Sequence, residues 1–291
     1  MSQFKKIGVI GGGTMGQGIA EMLAKKGLDV ILVEKTEELT QTSLEHIANN
    51  LDKQLEKWAI TEAEKKLILA KIHGTADLNE VATCDMIIET VSEELEVKKE
   101  VFRRLDQICP SNVILSSNTS TLSLTELAAV TKSPDRVIGV HFVHPVSKID
   151  LVEIIRGIKT SDATYKATHD FVQNTIEKHG IQVFESPGFV TSRLICLLIN
   201  EAMVTLSEGV ATAEEIDTAM KIGYEFRSGP LEMADRFGLD SVLAALERMF
   251  REFGDLKYRP SFLLKQMVYS GQLGVKTGQG FFQYDKDGER V

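Results

Sequence analysis

The sequence predicts two domains: a doubly wound α/β sheet carrying an inserted helical hairpin, followed by an all-α domain. Three observations predict this. The first 33 residues form a strand–helix–strand unit with a glycine-rich turn between its first two elements. Short, continuous apolar runs of strand length then recur up to residue 184, separated by stretches of helical spacing. After Ser186-Pro187-Gly188 the apolar residues keep helical spacing alone. A chain of 291 residues has the length of two ordinary domains, and the predicted division is 1–186 and 187–291.

Each element has its own signal. Residues 5–10 form a β-rich run that stops at Gly11-Gly12-Gly13. Ile19, Met22 and Leu23 recur at helical intervals, and Gly27 caps that helix. Val30–Val33 is apolar without alternation, as in a strand buried on both faces. Residues 37–72 lack Gly and Pro and read as the inserted hairpin: Leu44, Ile47, Leu51, Leu55 and Trp58 mark one helix. Thr61 with Glu64 is a capping box for a second, running through Leu67, Ile68 and Ile72. Strands are expected at 86–89, 113–116, 137–142, 151–155 and 181–184, with helices near 97–109 and 122–130. In the second domain residues 189–208 are helical, Thr212 and Glu215 form another capping box, and Leu231 to Leu246 continue the pattern. A short strand-like tail is expected at Phe281-Phe282.

Composition excludes several classes of function. Hydrophobic residues at 43% and charged residues at 26% are ordinary for a globular chain. No apolar run reaches the roughly 18 residues of a membrane span, so no membrane partner is expected. The excess of Asp and Glu gives a net charge of −9, which repels phosphate backbones and argues against nucleic acid. An anionic ligand must therefore be held by a local site. Cys84, Cys109 and Cys196 show no C-x-x-C spacing, so neither disulfides nor a metal are expected. The first strand starts too near Met1 for a signal peptide to precede it, which points to the cytoplasm.

Gly11-Gly12-Gly13-Thr14-Met15-Gly16 satisfies G-x-G-x-x-G between a strand and a helix. Gly11 permits the tight turn, Gly13 the approach of a pyrophosphate, and Gly16 close packing of helix on sheet. Glu34 ends the second strand about twenty residues on, where an acid accepts the ribose hydroxyls and repels a 2′-phosphate. The constellation predicts a Rossmann-type domain that binds NAD.

Chemistry in such sheets sits at the carboxyl ends of the strands. Ser116 to Ser120 follow one strand and His141 ends another, with His144-Pro145 just beyond. Glu153 lies within Leu151-Val152-Glu153-Ile154-Ile155, and a carboxylate so flanked is buried and needs a partner. An imidazole coupled to it becomes a better general base for an alcohol. Spacing alone leaves two other readings open, a structural His141 and a Glu153 paired with a Lys or Arg.

Taken with Ser117-Asn118-Thr119-Ser120, Ser186-Pro187-Gly188-Phe189-Val190, Gly229-Pro230-Leu231-Glu232 and Gly274 through Phe281, these motifs run in order along nearly the whole chain. The sequence resembles the L-3-hydroxyacyl-CoA dehydrogenases, and within them the stand-alone bacterial 3-hydroxybutyryl-CoA enzymes. The resemblance implies NAD-dependent oxidation of a short- or medium-chain 3-hydroxyacyl-CoA, a homodimer formed through the helical domain, and a hairpin that holds the CoA portion. It implies His141 as general base, Glu153 as its electrostatic partner, and Ser120 as a hydrogen bond to the substrate oxygen. Asn118, Glu93, Lys98 and Lys276 would contact the cofactor alongside Glu34, and Lys57 the CoA. The family carries Asn where this chain has His144 and Ser192, the second of these normally helping to hold the substrate. It carries Lys where Asp150 stands and a Pro-containing turn where Glu225-Phe226-Arg227-Ser228 stands. These departures bear on substrate identity. Alternatives are a dehydrogenase of a free hydroxy acid, gulonate- or carnitine-like, and an NAD-binding protein without catalysis, which the retained His141 and Glu153 oppose.

Overall fold

A computed structural model of the chain describes residues 4–291, and their contacts divide into two compact units between Ser186 and Pro187. The first unit is one eight-stranded sheet. In chain order it runs β1 (Lys6–Ile10), α1 (Thr14–Lys25), β2 (Asp29–Val33), α2 (Glu37–Glu56), α3 (Glu62–Ala70), β3 (Ile72–Thr75) and β4 (Met86–Glu89). It continues through α4 (Leu95–Ile108), β5 (Ile114–Ser117), α5 (Leu124–Ala129), β6 (Val137–Phe142), β7 (Leu151–Arg156), α6 (Asp162–Asp170) and β8 (His179–Phe184).

The strands lie in the order β3-β2-β1-β4-β5-β6-β7-β8. The chain winds outward one way from β1 to β3, then crosses to β4 and winds the other way. The switch therefore falls between β1 and β4, whose carboxyl ends open the crevice where such sheets bind ligands. The continuous apolar runs are explained by burial on both faces: every residue of β4 and β6 is buried.

Two expectations are corrected here. Residues 37–72 do not interrupt the sheet: α2 and α3 together are the crossover from β2 to β3, and Ile72 opens β3 instead of closing α3. The Thr61–Glu64 capping box does start α3. One pair departs from the parallel pattern. Residues 143–150 are too few for a crossover helix, so β7 returns antiparallel to β6.

The second unit holds α7 (Thr191–Ser207), α8 (Ala213–Gly223), α9 (Pro230–Phe237), α10 (Leu239–Phe253) and α11 (Phe262–Tyr269) around a core that includes Met203, Leu231, Leu246 and Tyr258. Buried Asp217 on α8 accepts hydrogen bonds from the backbone N–H groups of Leu231 (2.8 Å) and Glu232 (2.9 Å), capping α9 from a neighbouring helix. The expected strand at Phe281-Phe282 is not formed. Their N–H groups donate to the carboxylate of Asp235 at 3.0 and 2.9 Å, and isolated bridges flank them.

Candidate active site

The glycine turn follows β1 at the switch point. Gly16 packs against the turn itself, since a Cβ there would lie 1.8 Å from the carbonyl oxygen of Gly11. At Gly13 the reverse holds: a Cβ would meet nothing within 4 Å, so the backbone faces open space. The first turn of α1 has no side-chain cap and no acidic residue, unlike α2, which Thr36 caps and whose first turn carries Glu37 and Glu38. Its N–H groups and the positive end of the helix dipole are thus available to an anion. Glu34, one residue past β2, points its carboxylate back over the turn, accepting from the N–H of Gly12 at 2.6 Å. An open backbone, an uncapped helix start and an acid at the end of β2 fit a dinucleotide with a free 2′-hydroxyl.

Across the sheet, antiparallel pairing sets His141 on β6 directly opposite Glu153 on β7. Opposed residues of an antiparallel pair share a face, and Nδ1 of His141 lies 2.7 Å from Oε2 of Glu153. Glu153 is 0% exposed and His141 8%. A carboxylate so buried keeps the proton on Nδ1, so proton exchange with a ligand falls to Nε2. His144 lies three residues beyond His141; it is exposed, but its neighbours partly desolvate the ring and hold its imidazole below the ordinary value of 6.5.

Between these two regions, β4 and β5 end in a polar cluster. Lys98 on α4 is 1% exposed, with its ammonium 2.7 Å from Oε1 of Glu89, 3.0 Å from the carbonyl of Val91 and 3.4 Å from Oε2 of Glu93. The other oxygen of Glu89 accepts from the hydroxyl of Ser117 at 2.6 Å. Glu93 accepts from the Thr119 hydroxyl (2.6 Å), the Ser120 N–H (2.9 Å) and the Thr121 N–H (3.1 Å). Burial pushes the Glu93 carboxyl up, but the Lys98 charge and these hydrogen bonds outweigh it and hold the group below its ordinary value.

The Ser117–Thr121 loop is therefore pinned from below, with the Ser120 hydroxyl half-buried at its outer end. Asn118 accepts from the Phe142 N–H at 2.8 Å through its side-chain oxygen, tying that loop to the residue after His141. Of the residues expected at a cofactor, Lys98 has its three N–H donors matched by three protein acceptors, and Asn118 and Glu93 hold the loop. Glu89 was not singled out from sequence. It follows Met86-Ile87-Ile88 as a carboxylate inside an apolar strand, which is the signal that singled out Glu153.

The remaining expected residues lie elsewhere. Lys57 caps the end of α2 and is exposed. Ser192 sits half-buried in the first turn of α7, and Lys276 pairs with Asp240 at 2.5 Å, both within the second unit. All three cysteines are free and buried. Burial pushes their thiols up, to about 12 for Cys84 and Cys196 and about 11 for Cys109, which makes them poor nucleophiles. Among the described residues no His, Cys, Asp and Glu cluster could hold a metal ion, and no helix is long and apolar enough to cross a membrane.

A cleft of about 650 Å³ opens beside His144 and Pro145. It runs past Thr14 and Gln17 on α1 to Asn50, Lys53 and Gln54 on α2; Lys25 and Lys26 in its wall pair with Glu21 and Glu177, Lys178 donates to the carbonyls of Val146 and Ile149, and Lys148 and Asp150 also line it.

Comparison with known proteins matches residues 6–186 to the family model described as 3-hydroxyacyl-CoA dehydrogenase, NAD binding domain, and residues 188–284 to the C-terminal domain of the same enzyme. The 3-hydroxybutyryl-CoA dehydrogenase of Bradyrhizobium diazoefficiens is 43% identical over 283 residues, covering 96% of this chain and 95% of that protein. The solved structure of Mycobacterium tuberculosis FadB2 is similar at a TM-score of 0.95, with 35% identity over 97% of this chain and 99% of that one. The (S)-3-hydroxybutyryl-CoA dehydrogenase PaaH1 from Ralstonia eutropha is similar at 0.90, with 43% identity over 98% of this chain and all of that one.

Proposed function

The chain belongs to the 3-hydroxyacyl-CoA dehydrogenase family, and on that premise we propose that it oxidises a short- or medium-chain L-3-hydroxyacyl-CoA reversibly to the 3-oxoacyl thioester. The observation that carries the reading is the buried His141–Glu153 pair on β6 and β7, in the same sheet whose β1 ends in a glycine turn suited to a dinucleotide.

The turn at Gly11, Gly13 and Gly16, the start of α1 and Glu34 would hold NAD. Bound there, NAD supplies the acceptor for the hydride that leaves the carbinol carbon. His141 removes the hydroxyl proton through Nε2, while Glu153 fixes the tautomer and stabilises the imidazolium that results. Ser120 donates or accepts a hydrogen bond at the reacting oxygen. Glu93 and Asn118 hold the Ser120 loop at a fixed distance from His141, and Lys98 with Glu89 anchors Glu93. In this reading Lys98 and Asn118 position the site, and contact with the cofactor is not their main work.

Of the cleft's lysines, Lys53 and Lys148 are exposed and suit the phosphates of CoA, whereas Lys25 and Lys26 pair with Glu21 and Glu177 and Lys178 bonds backbone carbonyls. On α2 the cleft residues Asn50, Lys53 and Gln54 share a helical face with Lys57 one turn further, which extends the basic edge. Binding energy gained there can orient the reacting carbon. NADH oxidation measured with acetoacetyl-CoA and with free acetoacetate tests the proposal. The thioester should be preferred by orders of magnitude in kcat/KM, and equal rates would assign the chain to free hydroxy acids.

The same reading gives a homodimer formed through the helical unit, where Leu194, Ile222, Tyr224, Phe262 and Tyr269 are exposed. Three buried, unoxidised thiols suit a cytoplasmic setting.

A further inference from the structure

Two peptide groups join Gly11, Gly12 and Gly13, and side chains from four elements hold them. On the first, the carbonyl of Gly11 accepts from the Thr90 hydroxyl past the end of β4 at 2.7 Å, and the N–H of Gly12 donates to Glu34 past the end of β2 at 2.6 Å. On the second, the carbonyl of Gly12 accepts from Ser43 Oγ on α2 at 3.0 Å and from Gln17 Nε2 on α1 at 2.6 Å. Ser43 is buried, and a Cβ on Gly12 would collide with its hydroxyl, so α2 rests directly on the turn. The mechanism above uses neither Ser43 nor Gln17.

The second peptide is the one that needs holding. It has glycine on both sides, so no Cβ resists its rotation. In a trans peptide the C=O and the following N–H point in opposite directions. A Gly12 carbonyl drawn toward α1 and α2 therefore turns the N–H of Gly13 the other way, at a residue where a Cβ would meet nothing within 4 Å. Among the described residues no protein group accepts from that N–H. Rotated by half a turn, the same peptide would present its carbonyl oxygen there and repel an anion.

We propose that Ser43 and Gln17 are positioning residues for the cofactor: by holding the Gly12 carbonyl they keep the Gly13 N–H, together with the first N–H groups of α1, aimed at the pyrophosphate of NAD. They act through the peptide group. A turn set in place before binding loses less freedom when the ligand arrives, so the two hydrogen bonds are expressed as cofactor affinity. The assignment rests on the glycine turn being the NAD site and deepens that reading.

Binding measurements on the full chain test this without turnover. The Kd for NADH is read from its fluorescence, and those for ADP-ribose and adenosine by competition against it, for the wild type, Ser43→Ala, Gln17→Leu and the double variant. Removing both hydrogen bonds should weaken NADH and ADP-ribose roughly 5- to 100-fold, with each single change costing less. Adenosine has no pyrophosphate, and its Kd should stay within about twofold. Ser43→Cys keeps the shape of the side chain but is a weak donor, so it should weaken NADH as Ser43→Ala does. In turnover, Ser43→Ala should raise the KM for NADH with little change in kcat. An NADH Kd within about twofold of the wild type in the double variant, an equal loss for adenosine, or affinity recovered by Ser43→Cys would overturn the assignment. Gly13→Ala tests the reading beneath it, because the added methyl has room in the protein but fills the space through which a pyrophosphate would approach. If Gly13→Ala leaves the NADH Kd unchanged, the turn is not the cofactor site and both readings fall together. If it weakens NADH while the double variant does not, only the role of Ser43 and Gln17 falls.

Discussion

Glu153→Gln removes one charge from a buried pair and leaves its shape almost unchanged. With Nδ1 and Oε2 at 2.7 Å, the centres of an imidazolium and a carboxylate lie about 4 Å apart. At an effective dielectric of about 20 their attraction is about 4 kcal/mol, which corresponds to roughly 10³ in rate if it is felt only when His141 is charged. Some of this is retained, because the Gln carbonyl can still accept from Nδ1–H. If the amide turns instead, its N–H₂ donates to Nδ1 and forces the proton onto Nε2, where it blocks the base. The expected loss in kcat/KM for 3-hydroxybutyryl-CoA oxidation is therefore roughly 10²- to 10³-fold. The assay is NADH formation, with the melting temperature and NADH affinity as controls. A loss of less than about tenfold would show that the pair is structural.

Three further outcomes follow from the same geometry. Glu34 should make kcat/KM at least about tenfold higher with NADH than with NADPH, and equal use of both would mean the carboxylate does not meet the ribose. Lys98→Met leaves Glu89 and Glu93 without their shared cation and should cost about 3–5 kcal/mol in urea unfolding, and a cost under about 1 kcal/mol would contradict the anchoring role. His144, exposed but partly desolvated by its neighbours, binds its proton less readily folded than unfolded. The stability it adds is complete above about pH 6.5 and is lost as the pH falls through and below that value, so His144→Asn should flatten the acid side of the melting-temperature profile and leave it unchanged above.

Much of the fold was legible because its strands are buried on both faces and leave uninterrupted apolar runs, as at Val30–Val33 and Met86–Ile88. What was missed lacks that signal. Helix α6 turns Thr164 and Thr168 inward, so its buried face is polar and carries no apolar stripe. Strand β3 is only Ile72-His73-Gly74-Thr75, an edge strand whose one large apolar residue continued the spacing of α3. At the site, Glu153 was readable as a charge inside an apolar run, and His141 was one of the partners left open. The short 143–150 connection favours the antiparallel return of β7, but only the register sets His141, and not a Lys or Arg, opposite it. The resemblance placed Lys98 and Asn118 near the crevice; that the Lys98 ammonium and the Asn118 side-chain oxygen are held by protein groups there only coordinates can show.

The central question is whether His141 is the base. Initial rates of NAD reduction by 3-hydroxybutyryl-CoA, measured for the wild type and His141→Gln beside the Kd for NADH, answer it most directly. Turnover should fall roughly 10²- to 10⁴-fold while the NADH Kd stays within about twofold, as expected for a lost general base that does not touch the cofactor's binding groups. Turnover near the wild-type level in His141→Gln, or a loss traced wholly to weaker NADH binding, would contradict the assignment of His141 as the base.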